Sequence, residues 1–399
     1  MSAGDPAGPT RLVVLDHVAR LSGAEINLLK VAPKLRGFDV TVVLAEPGDL
    51  ADRLRAAGAA VEIVPLDRRA ADVAAQQRGI AELLRGGLAF LAYGVRLRRV
   101  LRRLRPDLVV TNSSKAHLYG AVAAALARVP LVCHVHDRLT GDTYALPALL
   151  LLRAVFGYRA AGLIANSAST AATLPARAAA RTVALPCPVD EADPLPHRPS
   201  DTVRFAVVGR ISPWKGQDLA VRAFARWRER TGQEGRLTIV GGALFGEDEF
   251  GDGLLRLLDE LGVADAVDVT GHVMPERVQE VLAGTDVLLH TSRIPEPFGQ
   301  VVVEGMHAGV AVVAADAGGP AEIVHDGVDG LLYPVGDPVE LAAAMERLTA
   351  SPDLRARLAA AGRETARNYA IPAVLPRYEA FLRRVGGRPA PAPSGVARG

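Results

Sequence analysis

The sequence predicts two α/β domains, each a doubly wound, mostly parallel sheet with helices on both faces, facing one another across a cleft. Three observations carry this expectation. Short Val/Leu-rich runs alternate with helical stretches through both halves, the pattern of strands buried by helices on both sides. At 399 residues the chain is too long for one ordinary core. Between the halves, Pro186–Asp201 (PCPVDEADPLPHRPSD) is proline-rich, polar and without periodicity, and so reads as a domain boundary.

Taken in order, residues 1–10 are expected to be a disordered N-terminus and 11–185 the first domain. Arg11–Asp16 (RLVVLD) is a short apolar strand, followed by a turn at Ser22-Gly23 and a helix over Ala24–Leu35. Strand 41–45, a helix near 49–57 and strand 61–66 repeat the unit. Strand 107–111, a helix from Lys115 to Ala127, strand 130–136 and strands at 163–165 and 182–185 complete the half. No GxGxxG follows the first strand, which weighs against a dinucleotide-binding oxidoreductase. After a linker at 186–202, the second domain spans 203–370. Its strands are expected at 203–208, 237–240, 267–270, 286–290, 311–315 and 330–333. Its helices are expected at 215–229, 253–261, 275–283, 338–349 and 353–367. Residues 371–386 hold a last helix, with Val374–Val385 as its candidate, and 387–399 a low-complexity tail.

Composition narrows the function. Apolar residues make up 49% and charged residues 23%, normal for a soluble globular protein, and a net charge of +2 argues against a general nucleic-acid binder. Cys133 and Cys187 lack CxxC or metal-type spacing, so neither a disulfide framework nor a zinc site is expected, and a reducing compartment fits. The start, MSAGDPAGPT, has no apolar core of a signal peptide. No run reaches the roughly 18 apolar residues of a membrane span. A cytoplasmic enzyme is the expectation.

The stretch that points to chemistry is Glu296-Pro-Phe-Gly-Gln-Val-Val-Val-Glu304. It follows TDVLLHT (285–291), which reads as a buried strand, so the helix carrying Glu304 opens near Phe298 or Gly299. Its first N–H groups and positive dipole end then face whatever lies above the strand, a natural place for phosphate. Glu304 could accept from a pair of hydroxyls such as a ribose offers, and Glu296, at the loop tip, could read the attached group. The same residues on spacing alone also fit an ordinary Glu-Pro loop and a solvated surface carboxylate. Arg210 and Lys215 follow the first strand of the second half and would overlie the same crevice, able to neutralise a diphosphate, or else be two ordinary surface cations. His134 and His136 flank Val135 and point to one face; with no third ligand nearby, metal binding is not expected.

These segments together resemble a known family. EPFGQVVVEGMHAGVAVVAADAGGPAEIV, GRISPWKGQDLAVRAF (209–224), IVGGALFGEDEF (239–250), VTGHV (269–273) and DGVDGLLYPVGDPVELAAAMERL (326–348) resemble family 4 glycosyltransferases, the large retaining group with the GT-B fold. Weaker echoes occur at LSGAE (21–25), TNSSKAH (111–117), HVHD (134–137) and LIANSAST (163–170). The resemblance implies a retaining transferase moving a sugar from a nucleotide diphosphate sugar to an acceptor hydroxyl on a glycan, glycolipid or small natural product, with no cofactor and no metal. It assigns Arg210 and Lys215 to the diphosphate, Glu296 to sugar hydroxyls and Glu304 to the ribose. Gly23 would face the donor diphosphate, and the backbone at Val273 would read the base. Phe298, Gly299, Gln300 and Val301 would line the donor site. His136 would contact the sugar, with Asp137 positioning it and His134 as second choice. The last helix would cross back to the first domain.

Two other functions fit the same residues: a sugar-nucleotide epimerase of the same fold, and a non-catalytic nucleotide-sugar-binding protein. Residues 85–105 carry seven arginines threaded with Leu, Val, Phe and Tyr. They are either a cationic helix packed by its apolar face or a peripheral contact with the inner face of a membrane.

Overall fold

The computed structural model describes residues 8–66, 80–190, 194–198, 200–243 and 246–387, with side chains from 87 onward in the helix that begins at 80. Residues 1–7, the tail from 388 and the side chain of Arg85 lie outside the described residues. The chain divides into two compact units, one formed by 1–188 together with 371–399 and the other by 189–370.

The first unit holds a parallel seven-stranded sheet of order β3-β2-β1-β4-β5-β6-β7. Its strands are β1 (Thr10–Asp16), β2 (Phe38–Leu44), β3 (Ala60–Ile63), β4 (Leu108–Thr111), β5 (Leu131–Val135), β6 (Gly162–Ala165) and β7 (Thr182–Ala184). Alternation along the strands sends side chains to two separate cores. Val13, Leu15, Val109, Cys133 and Val135 pack with Tyr93, Leu97 and Leu101 of the helix Ile80–Leu104 and with the helices Ser114–Ala127 and Leu146–Ala154. Their neighbours Leu12, Val14, Val110 and Val132 pack the other way, against the helices Gly23–Val31, Asp49–Ala56 and Ile371–Val385. The last helix is thus part of this core through Ile371, Val374, Tyr378 and Phe381.

The second unit repeats the plan with six parallel strands in the order β10-β9-β8-β11-β12-β13. These are β8 (Val203–Val208), β9 (Gly235–Val240), β10 (Val267–Val269), β11 (Val287–His290), β12 (Ala311–Ala315) and β13 (Leu331–Tyr333). Its core centres on Phe205, Phe224 and Trp227, whose rings lie 5.0–5.9 Å apart. The buried Trp227 indole donates to Thr349 Oγ1 at 3.0 Å, so its polar edge is satisfied.

Two boundaries differ from the sequence reading for local reasons. The helix expected from 215 begins at Gln217, because Pro213–Lys215 form a 3₁₀ turn and Gly216 (φ 66°) then breaks the chain direction in left-handed backbone. A Cβ on Gly216 would lie 2.3 Å from the Thr291 carbonyl oxygen, so only glycine lets these two loops touch. The helix expected from 253 begins at Asp248, where Asp248 and Glu249 put negative charge on its first turn.

In each sheet the strand order reverses once, between β1 and β4 and between β8 and β11. Open α/β sheets bind ligands in the crevice that such a reversal opens beyond the strand C-termini.

Candidate active site

At the reversal in the second unit, the loop after β8 carries Gly209, Arg210 and Lys215, and the loop after β11 carries Thr291, Ser292 and Glu296. Lys215 Nζ donates to Glu296 Oε1 at 2.7 Å, and its ammonium also lies 4.4 Å from the centre of the Trp214 ring. The other carboxylate oxygen, Oε2, accepts from His290 Nε2 at 2.6 Å and from Ser292 Oγ at 2.7 Å. A carboxylate accepts only, so Nε2 of His290 carries the proton. Glu296 was expected at the tip of a loop; the structure instead buries it, with 8% of its surface exposed and three donors on its two oxygens. Burial alone would raise its carboxyl, but Lys215 and His290 hold it well below the usual carboxylate range.

Backbone contacts fix this arrangement. Thr291 Oγ1 donates to Lys215 O at 2.8 Å, and Gly319 N donates to Glu296 O at 2.8 Å. Gly318 (φ 67°) pairs alongside Glu296, and a Cβ there would come within 2.3 Å of the Glu296 carbonyl oxygen. The helix after this loop runs from Gln300 to His307, capped by Gly299 in left-handed backbone (φ 94°). Val302 and Val303 both donate to Gly299 O, which leaves the N–H groups of Gln300 and Val301 ahead of the first intrahelical bonds. Phe298 is buried, its ring 6.0 Å from that of Tyr369. Glu304, half-buried in the second turn, accepts from Gln300 Nε2 at 2.9 Å.

The structure therefore joins Lys215 directly to Glu296 and strings Phe298 through Glu304 along one loop and helix. Arg210 stands at the end of β8, its Nε 3.8 Å from Glu247 Oε2. Val273, half-buried, follows β10, where Gly271 pairs with Gly241.

At the reversal in the first unit, a second polar cluster lies over β1, β4 and β5. Asp16, 1% exposed at the end of β1, receives Asn112 Nδ2 on Oδ2 at 2.7 Å and the His17 N–H on Oδ1 at 2.6 Å. Burial pushes its carboxyl up, yet these hydrogen bonds and His17 bring it below its ordinary value. Asn112 Oδ1 lies 2.9 Å from His136 Nε2, and Asn166 Nδ2 donates to the His136 carbonyl at 2.9 Å. The rings of His134 and His136 are 4.0 Å apart, on one side of the sheet as the alternation required. Burial lowers the His136 imidazole to about 4 and drives His134, whose Nε2 lies 3.2 Å from Tyr378 Oη, well below its ordinary value. Gly23 opens the helix after β1, with Ser22 as its cap; two residues on, Glu25 is pushed up to about 8 by burial and by the charge of Asp16.

Asp16, Asn112, Glu25, His290 and Ser292 were not singled out by the sequence reading. The available signal was positional: Asp16, Asn112 and His290 are polar residues at the C-terminal end of an apolar parallel strand, or one step beyond it.

Comparison with known proteins follows the same division. The model of "Glycosyl transferases group 1" matches residues 190–365 and that of "Glycosyltransferase Family 4" matches 26–193. A D-inositol 3-phosphate glycosyltransferase of Acidothermus cellulolyticus is 39% identical over 163 residues, covering 40% of this chain and 36% of that protein. Its counterpart in Thermomonospora curvata is 34% identical over 182 residues, covering 45% and 42%. The chain thus matches less than half the length of these curated relatives. HepE of Anabaena, solved in complex with UDP and glucose, superposes with a TM-score of 0.80 at 26% identity, covering 94% of this chain and all of that one. Sucrose-phosphate synthase of Thermosynechococcus elongatus shares the fold, with a TM-score of 0.77 at 19% identity over 95% of this chain and 99% of that one.

Proposed function

This chain belongs to the family 4 glycosyltransferases of GT-B fold, and from that premise we propose that it transfers a sugar, with retention and without a divalent metal, from a nucleoside diphosphate sugar to an acceptor hydroxyl. The observation that carries this reading is the Lys215–Glu296 contact beside the β8/β11 reversal. As the bond from the sugar's anomeric carbon to the diphosphate breaks, the electron pair stays with the diphosphate. Lys215, Arg210 and the N–H groups of Gln300 and Val301 meet that charge. The acceptor oxygen bonds to the anomeric carbon, and the acceptor's hydroxyl proton passes to the freed phosphate oxygen. Glu296 aims the Lys215 ammonium and shares its carboxylate with sugar hydroxyls, while Glu304 takes the ribose diol. Gly23 and Val273 contribute backbone to the diphosphate and the base, and His136 meets the sugar.

UDP-glucose is the first donor to test, because HepE is solved with it. D-inositol 3-phosphate is the first small acceptor, because curated relatives bear its name. The test is a transfer assay with UDP-, GDP- and ADP-glucose in EDTA, with product anomers read by NMR. Retained configuration is expected, and Lys215→Ala should lower kcat by about 10²–10³-fold. Conversion of the donor alone to an epimer would replace transferase with epimerase. Donor binding without turnover on any acceptor, together with unaltered binding by Glu296→Ala, would leave a binding protein.

A membrane-borne acceptor is favoured by one further feature. No helix among the described residues is long and apolar enough to cross a membrane. The outward stripe of Ile80–Leu104, however, exposes Leu88 (65%), Leu91 and Val95, and continues into the exposed Arg99 and Arg102. The helix Leu146–Ala154, packed into the same core, exposes Leu146, Leu150 and Leu151. Apolar side chains beside arginines suit an anionic lipid surface. Salt-sensitive sedimentation with anionic vesicles is expected; sedimentation that is absent or indifferent to salt removes this extension.

A further inference from the structure

The hydrogen bonds around Asn112 decide which nitrogen of His136 is protonated. Asn112 is 1% exposed, one residue beyond β4. One end of its amide faces two groups that can only accept: Asp16 Oδ2 at 2.7 Å and the Ala24 carbonyl oxygen at 3.2 Å. That end must be the NH₂ group. The other end, Oδ1, is therefore an acceptor, and it faces His136 Nε2 at 2.9 Å. Nε2 must donate, so in the neutral ring Nδ1 keeps its lone pair.

We propose that Asp16 and Asn112 are positioning residues that hold His136 as the Nε2–H tautomer, so that it meets the substrate through Nδ1 as a hydrogen-bond acceptor. What His136 meets rests on the transferase reading above; the tautomer itself does not. The consequence for recognition is definite: the substrate group opposite Nδ1 is a hydroxyl that donates. A fluorine in place of that hydroxyl can accept but not donate, and would lose the contact.

Asp16→Asn tests the chain of argument. An asparagine there that keeps its oxygen on the His17 N–H turns its NH₂ toward Asn112. Two NH₂ groups cannot face each other. Turning the new asparagine would set an NH₂ against the His17 N–H at 2.6 Å, whereas turning Asn112 costs only its longer 3.2 Å bond to the Ala24 carbonyl. The Asn112 amide therefore turns over and offers its own NH₂ to His136. The ring must then accept at Nε2 and carry its proton on Nδ1. The ¹⁵N spectrum of histidine-labelled full-length protein, with the His136 signals identified by their loss in His136→Ala, reads this directly. The expected result is Nε2–H in the unaltered chain and Nδ1–H in Asp16→Asn, with an unchanged circular dichroism spectrum. A drop in kcat on the order of 10² should accompany it, since a reversed imidazole is costly wherever one tautomer is required. Asn112→Ala provides the second reading. It removes the amide, populates both tautomers and should lower kcat by only about tenfold, within the range for one lost hydrogen bond. Nδ1–H in the unaltered chain, or Nε2–H surviving in both variants, overturns the proposal whatever the activity assay shows. If the tautomers behave as expected while no sugar is transferred, the transferase reading fails and this one stands.

Discussion

The crevice of the second unit holds opposite charges in direct contact, Lys215 on Glu296, whereas the crevice of the first unit holds one carboxylate kept ionised by hydrogen bonds, Asp16, among groups driven toward their neutral forms, Glu25 and His136. The positions are equivalent, since each lies where a parallel sheet reverses its strand order. The difference follows from the partners burial supplies. Glu296 is buried beside an ammonium and an imidazole N–H, so its ionised form is stabilised. Glu25 is pushed toward its uncharged form by burial and by the neighbouring Asp16 carboxylate, and His136 by burial that the charges of Asp137 and Asp16 only partly offset. A crevice of paired charge suits a polyanionic leaving group, and one whose single ionised carboxylate, Asp16, is already held by two donors and surrounded by neutral groups suits hydroxyls.

Breaking the charged crevice should have the largest effect. Glu296→Ala leaves the Lys215 ammonium, whose side chain is only 16% exposed, without its carboxylate. Removing one partner of a buried pair costs about 3–5 kcal/mol. Stability measured by denaturant should fall by this order, and turnover by about 10³-fold as the cation loses its aim. Lys215→Ala should cost less stability, since Glu296 keeps His290 and Ser292.

Next comes the backbone that holds the loop. Gly318→Ala places a Cβ 2.3 Å from the Glu296 carbonyl oxygen in left-handed backbone, so the loop must shift. A cost of about 2–3 kcal/mol is expected, with the Michaelis constant for the donor rising. An alanine variant as stable and active as the parent would show that the Glu296 loop tolerates displacement.

A third experiment separates the units by pH. Glu25 has a folded value raised to about 8 against an ordinary 4.5. Its contribution to stability is therefore full below pH 4.5 and is lost as pH rises through 8. His136 runs the other way: lowered to about 4 from 6.5, it contributes above 6.5, and that contribution is lost as pH falls toward 4. Glu296, lowered from 4.5, loses its contribution only as pH falls below 4.5. Glu25→Gln mimics the protonated form, so the alkaline decline should disappear, a gain on the order of 2 kcal/mol at pH 9. Melting temperatures of the parent and variant at pH 6 and 9 measure it. An identical decline in both would remove Glu25 as its cause.

The sequence carried the fold class because alternating Val/Leu runs and helices leave few other packings, and the resemblance marked Glu296 and Lys215 in advance. It could not show that they touch, because the contact joins residues far apart in the chain and depends on Gly216 letting the β8 and β11 loops meet. His136 could be singled out at the end of a strand, but its tautomer depends on Asp16 and Asn112, each on a different strand-end. The helix Ile80–Leu104 could be read either as a packed cationic helix or as a surface-seeking one, and it has both faces: Tyr93, Leu97 and Leu101 are buried while Leu88, Leu91 and Val95 are exposed.

The smallest effect is expected from Ser292→Ala, and its size tests whether charge organises the second crevice. The Ser292 hydroxyl, 1% exposed with its residue, donates to Glu296 Oε2 at 2.7 Å. That oxygen also accepts from His290 Nε2, and Oε1 keeps Lys215, so removing the hydroxyl strands no atom of the carboxylate. The loss should stay at about 1.5 kcal/mol, the low end for a single hydrogen bond to a charged group, with turnover reduced less than tenfold. Denaturant midpoints and kcat for Ser292→Ala, Lys215→Ala and Glu296→Ala, taken side by side, rank the three contacts. A serine variant as damaged as Glu296→Ala would mean that the hydroxyl, and not the ammonium–carboxylate pair, sets the geometry of the loop.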